Sequence, residues 1–296
     1  MAMSSSSAST SDPAPAPGRG RLVLVGTPIG NLGDLTPRAV EALAAADLVC
    51  CEDTRRTGRL LQHAGIRARE LRVVNDHTED RAVADVLARI GRGETVAVVT
   101  DAGMPGISDP GEQLVAAAAA AGHIIEVVPG PSAAITALVA SGLPAGRFVF
   151  EGFLPRKGSG RTQRLGVVAV ERRTVVLYEA PHRVARTLSD LVAACGGDRR
   201  IVLARELTKL NEELWRGTLD DAVRHVEDVE PRGEYVLVLD GAPVPDELTD
   251  DDLLAALARA REAGASTRDA VAEVVADLGV AKRRVYALAT EPPAGA

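Results

Sequence analysis

At 296 residues and 46% hydrophobic, the chain is long enough for one large or two medium domains with a sizeable core. Its formal net charge of −7 excludes a surface that attracts nucleic acid everywhere, so an RNA or DNA partner must meet a local basic patch. No apolar run reaches the roughly 18–20 residues of a membrane span. The cysteines (Cys50, Cys51, Cys195) form no C-x-x-C pair, which argues against structural zinc or a disulfide framework and fits a reducing cytoplasm.

Residues 1–20 are rich in Ser, Ala and Pro, lack hydrophobic periodicity and read as a disordered tail without the apolar core of a secretory signal. Arg21–Val25 is a predicted strand, followed by GTPIGNLGD. That glycine spacing is neither G-x-G-x-x-G nor a P-loop. Thr36-Pro37 supplies an N-cap and an N1 proline for a helix over Arg38–Ala46. Leu48–Cys51 reads as a strand, with Cys50 and Cys51 as small core residues. It delivers Glu52-Asp53-Thr54-Arg55-Arg56, either a solvated loop or a cleft lining, and a short helix follows over Arg59–Ala64. Val73–Asn75 is strand-like and leads to His77, then to a helix over Arg81–Ile90.

The chain is organised around Val96–Gly111. A β-branched run stops at Asp101, and three glycines and two prolines follow before a helix starts near Gly111. Strand, carboxylate, glycine-rich loop and helix make a ligand cradle at a strand's carboxyl end. A plain βα turn needs only about two to six residues. Ile124–Val128 is the next strand, with Pro131 near N1 and Ser132 in the first turn of an Ala-rich helix. Five β-loop-α alternations imply a mainly parallel sheet with its loops on one edge.

Ser141-Gly142-Leu143-Pro144 marks a hinge, and the alternation restarts with Phe148–Phe153. The loop beyond it is basic, with Arg156, Lys157, Arg161 and Arg164 inside nine residues. Strands over Thr174–Tyr178 and Ile201–Ala204 run into Arg183 and into Arg205 and Lys209, and Tyr235–Asp240 is the last strand. Residues 241–247 read as a linker. Residues 249–290 carry helical spacing through Leu253 and Leu257, a second helix over Ala270–Leu278 and a basic third one. This is a helix-turn-helix-like unit compatible with nucleic-acid contact or with packing.

Seven stretches, in order and at plausible spacing, resemble the tetrapyrrole-methylase superfamily of class III S-adenosylmethionine (SAM) methyltransferases. They are GTPIGNLGD, CEDTR, TDAGMPGISDPG, VPGPSAA, GFLPRK, YEAPHR and ARELTK. Within it they look like the branch that methylates the ribose 2′-hydroxyl of a decoding-region cytidine in 16S rRNA. Met104 and Gly106 stand where relatives commonly have Thr and Leu. The resemblance implies an α/β fold of two αβα domains (21–143 and 144–242) with SAM in the interdomain cleft, a helical unit over 248–290, and a cytoplasmic homodimer acting on 16S rRNA within the small ribosomal subunit. No metal is implied.

Carried over residue by residue, the SAM contacts fall on Thr27, Pro28, Asp101, Ala102, Gly103, Ile107, Ser108, Ser132, Ala133, Phe153 and Leu154. The reaction class is in-line attack of a ribose oxygen on an activated methyl group, so alignment and a proton acceptor are the protein's tasks. Glu52, Asp53, Lys157 and Lys209 are the leading catalytic candidates, with His77, Glu179 and Glu206 also open. Arg55, Arg156, Arg161, His182, Arg183, Arg205 and Arg283 are expected to meet RNA. Competing readings are a tetrapyrrole or precorrin methyltransferase of the same fold and a non-catalytic ribosome-binding module. A nucleotide-dependent oxidoreductase is disfavoured by the glycine spacing.

Overall fold

The computed structural model describes residues 20–74, 79–243 and 248–290. The tail expected over 1–20 (Gly20 aside) and His77 lie outside the described residues. The chain forms two compact units that meet in sequence at Ala242 and Pro243.

The first unit holds two five-stranded sheets. Sheet one is built from β1 (Arg21–Val25), β2 (Leu48–Cys51), β3 (Leu71–Val73), β4 (Thr95–Val98) and β5 (Ile124–Val128), in the order β3-β2-β4-β1-β5. All its pairings are parallel. Its helices are α1 (Pro37–Ala45), α2 (Thr54–His63), α3 (Glu79–Gly91), α4 (Glu112–Ala120) and α5 (Ala133–Ser141). Helices cover both faces of such a sheet, so its strands are apolar on both sides. Leu22, Leu24, Val96 and Val98 pack with Val86, Ile90 and Leu114. The alternate residues Val23, Val25, Ala97 and Val99 pack with Ala39, Leu43 and Leu61. Cys50 and Cys51 point to opposite faces of the sheet, each buried as expected, and burial pushes the Cys50 thiol up to about 12.

Sheet two comprises β6 (Phe148–Phe153), β7 (Thr174–Glu179), β8 (Arg200–Arg205), β9 (Glu213–Thr218) and β10 (Tyr235–Leu239), in the order β6-β7-β10-β8-β9. It is mixed: β10 runs antiparallel to both β7 and β8. The simple alternation expected for this half therefore needs correction. Strand β9 and the helices α6 (Ser159–Val170) and α8 (Leu219–Asp228) were not foreseen. The sequence of β9, ELWRGT, shows little apolar alternation because β9 is an edge strand. One face of the sheet packs on α7 (Pro181–Cys195) and α8 through Val184, Leu188, Leu191 and Leu219. The other face, with Val176, Val202, Val236 and Val238, receives Ala134, Ala137 and Leu138 of α5. Helix α5 thus follows sheet one in sequence and covers sheet two in space.

The second unit has its own core. Helices α9 (Asp250–Glu262), α10 (Thr267–Leu278) and α11 (Lys282–Thr290) bury Leu253, Leu257, Val271, Val274 and Val285 among themselves. Thr249 and Asp252 form a capping box on α9, and Ser266 caps α10. Among the described residues no helix is long and apolar enough to cross a membrane.

Candidate functional site

The loops after β1, β4 and β5 leave sheet one at the same edge and are locked together by backbone contact. Thr27 N donates to Gly103 O at 2.9 Å and Gly103 N returns the bond to Thr27 O at 3.1 Å. Gly26 and Gly130 cross so closely that a Cβ on Gly26 would stand 2.6 Å from Gly130 Cα. Only glycine permits this approach. Beyond them, Ser108 adopts φ +62, and Gly152 of β6 adopts φ +60 at an irregularity in the β6–β7 register. A Cβ on Gly152 would lie 3.0 Å from Ser108 Oγ, so the loop after β4 touches sheet two here. Glu79, buried at the start of α3, accepts from Gly111 N at 3.0 Å and Leu114 N at 3.1 Å and so pins the end of the same loop.

Between these loops and sheet two lies a cavity of about 290 Å³. Ile29, Ala102, Gly103, Met104, Ile107, Ser108, Ser132 and Ala133 line it from the first half. Phe153, Tyr178, Leu207, Glu234 and Tyr235 are among those that line it from the second. The Phe153 and Tyr178 rings meet edge to face at 5.6 Å, and Tyr178 Oη accepts from Ala134 N at the start of α5. Burial pushes the Tyr178 phenol up, so it stays a neutral part of the wall. A second cavity of about 310 Å³ is lined by Thr27, Pro28, Arg56, Asp101 and Lys209, and shares Ile29, Ala102 and Glu234 with the first. Asp101 Oδ2 stands 3.4 Å from Arg56 Nε, while Oδ1 is buried without a hydrogen-bond partner. Burial raises the Asp101 carboxyl above its usual range, although Arg56 opposes this. A buried acceptor left open in a cavity wall is a place for a ligand's donor.

The structure therefore brings ten of the eleven expected SAM contacts to these adjoining cavities. The exception is Leu154. Its side chain is buried in the core between sheet two and α7, and its carbonyl accepts from Arg183 Nη2 at 2.6 Å. A further adjustment concerns α5: Ser132 is its N-cap, and Pro131 precedes the helix.

Several polar candidates have structural work. Asp53 is the N-cap of α2, which starts five residues earlier than expected. Its Oδ1 accepts from Arg55 N at 2.8 Å and its Oδ2 from Arg55 Nη2 at 2.8 Å. These bonds hold the Asp53 carboxyl down at about 2. Arg161 is 4% exposed and donates to Asp190, Pro155 O and Thr187, so it braces the loop after β6 and is not available to a phosphate. Glu179 is 2% exposed, and accepts from Ala180 N and Thr187 Oγ1. Arg183 pairs with Glu179 at 3.1 Å, and Arg205 with Glu213 at 2.8 Å. Arg156, His182 and Arg186 remain exposed around a third cavity of about 270 Å³ whose other walls include Arg161 and Arg183. Lys157 is exposed on the same loop and lines neither of the first two cavities, and neither does Glu52. Arg283 is exposed on α11, in the second unit.

Among the catalytic candidates, Glu179 lines the first cavity and Lys209 the second. The Lys209 ammonium donates to Glu206 Oε1 and Glu234 Oε2, both at 2.8 Å. Partial burial pulls its pKa down, but the two carboxylates outweigh this and raise it. A lysine so held is a cation with no lone pair to take a proton. Glu234 was missed because it precedes its strand. Since β10 is antiparallel, its amino end meets the carboxyl ends of β7 and β8: Tyr235 pairs with Glu179 and with Arg205. Among the described residues no group of His, Cys, Asp or Glu is arranged to hold a metal ion.

Comparison with known proteins places this geometry. The family model "Tetrapyrrole (Corrin/Porphyrin) Methylases" matches residues 21–223. A protein named ribosomal RNA small subunit methyltransferase I from Synechocystis is 44% identical over 91% of this chain and 97% of its own length. The protein of that name from Mycobacterium tuberculosis is 46% identical over 90% and 93%. A uroporphyrin-III C-methyltransferase from Thermus thermophilus, solved with S-adenosylhomocysteine, superposes with a TM-score of 0.53 at 20% identity. It covers 75% of this chain and 97% of its own, a likeness of fold.

Proposed function

The chain belongs to the tetrapyrrole methylase family, and from this premise we propose that it is a SAM-dependent methyltransferase acting on the ribose 2′-hydroxyl of a decoding-region cytidine in 16S rRNA. The observation that carries this reading is the 44–46% identity to small-subunit rRNA methyltransferases over nine-tenths of the chain. The solved tetrapyrrole enzymes stand at only 20–23%.

The donor site supports the reading. A mainly apolar cavity with a few convergent polar groups suits a nucleoside-sized ligand, and Asp101 Oδ1 offers it an unused acceptor. Ala102, Gly103, Ile107, Ser108, Ser132, Ala133 and Phe153 would hold SAM, with Thr27, Pro28 and Asp101 beside them. When bound, SAM supplies a methyl group already activated by its sulfonium. The chain's own tasks are then to align the ribose, exclude water and accept a proton. Glu52, outside both cavities, would act only through the chain beside it. Arg156 and Lys157 on the loop after β6, with His182 and Arg186 in the first turns of α7, form the exposed basic patch that suits phosphates, and Arg55 and Arg283 would add weaker contacts.

The two halves, 21–143 and 144–242, would act as domains closing on the cofactor, and the small ribosomal subunit in the cytoplasm would be the partner. A homodimer is supported by an unpaired apolar edge. Strand β5 ends sheet one with Val127 48% exposed, and α5 after it exposes Ile135 and Val139. The test of function is methyl transfer from isotopically labelled SAM to small subunits from cells lacking this gene, followed by nucleoside mass spectrometry. Labelled 2′-O-methylcytidine is expected. SAM binding without any label in subunits or free rRNA would overturn the reading.

A further inference from the structure

Three residues line both adjoining cavities, Ile29, Ala102 and Glu234, and only Glu234 is ionisable. On the methyl-transfer reading above, which this inference rests on, we propose that Glu234 is the proton acceptor for the attacking hydroxyl and that Lys209 and Glu206 position it. Most of the donor contacts line the first cavity, and the second leaves room for an acceptor nucleotide to approach its methyl end. The reacting atoms must meet where the two join.

The local build favours this carboxylate. Glu234 Oε2 is fixed by Lys209 Nζ at 2.8 Å, while Oε1 has no hydrogen-bond partner among the described residues. Glu206 holds the pair from behind. Its N–H donates to Glu234 O at 3.0 Å, and its Oε1 accepts from Glu234 N at 3.0 Å and from Lys209 Nζ at 2.8 Å. Glu206 and Thr208 adopt φ +52 and +65, a backbone that non-glycine residues take only when the surroundings impose it. Thr208 Oγ1 in turn accepts from Asn31 N at 3.1 Å, tying this loop to the one after β1. Strain at this spot is how a fold keeps a charged group in a fixed place.

Other candidates are engaged elsewhere. Asp53 caps α2, Glu179 is buried among Ala180, Thr187 and Arg183, and Lys209 is a cation. Asp101 is the rival, since Oδ1 is unpaired, but it does not line both cavities as Glu234 does, and its free oxygen is the one offered to SAM. In the step proposed, the hydroxyl oxygen bonds to the methyl carbon. The carbon–sulfur bond breaks with its electron pair passing to sulfur, which neutralises the sulfonium. The hydroxyl proton passes to Glu234 Oε1. With its side chain 68% exposed, Glu234 can then release that proton to solvent.

The test uses the full chain with small subunits and labelled SAM, comparing Glu234→Gln, Glu234→Asp, Lys209→Met and Asp101→Asn. General-base removal costs about 10²–10⁴ in rate. Glu234→Gln should lower kcat at least about 100-fold while KM for SAM and for subunits stays within about threefold, and Glu234→Asp should recover part of the rate. Lys209→Met should lower kcat without moving KM for SAM, whereas Asp101→Asn should raise it. The proposal is overturned if Glu234→Gln keeps kcat within threefold of wild type. It is equally overturned if its lost rate tracks lost binding, or if Asp101→Asn abolishes turnover with SAM affinity intact. Absence of label with wild-type protein marks failure of the methyl-transfer reading itself and takes the base assignment with it.

Discussion

The two sheets contribute to the site in different materials. Sheet one builds its side from backbone: Gly26 against Gly130, Thr27 bridged to Gly103, and small residues at Ala102, Ser132 and Ala133. Sheet two builds its side from rings and charges: Phe153, Tyr178, Glu234 and Lys209. Backbone contacts require close approach and tolerate no added atoms. Charged side chains tolerate changes of shape but must have partners. The same pocket should therefore fail differently when struck from either side.

The largest effect is expected on the backbone side. Gly26→Val places a branched side chain where even a Cβ would be 2.6 Å from Gly130 Cα, so the loops must part. Overpacking that forces backbone to shift costs about 1–3 kcal/mol, occasionally more. Thermal unfolding should show that loss, and calorimetric titration should show SAM affinity reduced by more than tenfold. Retained affinity would mean that the donor is held mainly from sheet two.

A sharper contrast lies within sheet two. Arg161 and Arg186 border the same basic cavity, one buried and fully bonded, the other exposed. Arg161→Ala removes the close partner of Asp190, leaving it Arg186 at 3.8 Å, and should cost about 2–3 kcal/mol, discounted from the value for a wholly buried pair because Asp190 is 33% exposed. Arg186→Ala should leave the unfolding midpoint unchanged. It should instead weaken RNA binding uniformly and lower the slope of log affinity against log salt by about one. The reverse pattern, stability lost at Arg186 and salt slope lost at Arg161, would break the division between bracing and docking arginines.

What the sequence revealed follows the same division. The strand ends of sheet one and its glycine-rich loops were legible because backbone requirements leave a local trace. Proline and glycine punctuate where the chain turns, and Thr36-Pro37 announces α1 from two residues. Charge roles in sheet two were not legible, because partners come from distant sequence. Nothing near Arg161 says that Asp190 will take it, and the motif residue Leu154 turns into the core. Glu234 escaped notice for a topological reason. Functional residues are sought after strands, whereas an antiparallel β10 brings its beginning to the site. β9, polar and at the edge, left no apolar alternation to read.

The smallest effect expected is at Asp53, and it separates capping from catalysis. The Asp53 carboxyl is held at about 2, below its ordinary 3.8, chiefly by Arg55. A depressed carboxylate pKa means that the unfolded chain binds the proton more readily. Its contribution to stability is therefore present in full above about pH 4–5 and is lost as pH falls toward 2. Asp53→Ser keeps an N-cap oxygen but removes the charge. Its unfolding midpoint should lie slightly below wild type at pH 7, with the difference shrinking steadily on acidification. Methyl transfer at pH 7 should stay within a few-fold of wild type. A rate loss on the scale expected for Glu234→Gln, with the midpoint unchanged, would instead put Asp53 among the reacting groups and leave α2 capped by its backbone alone.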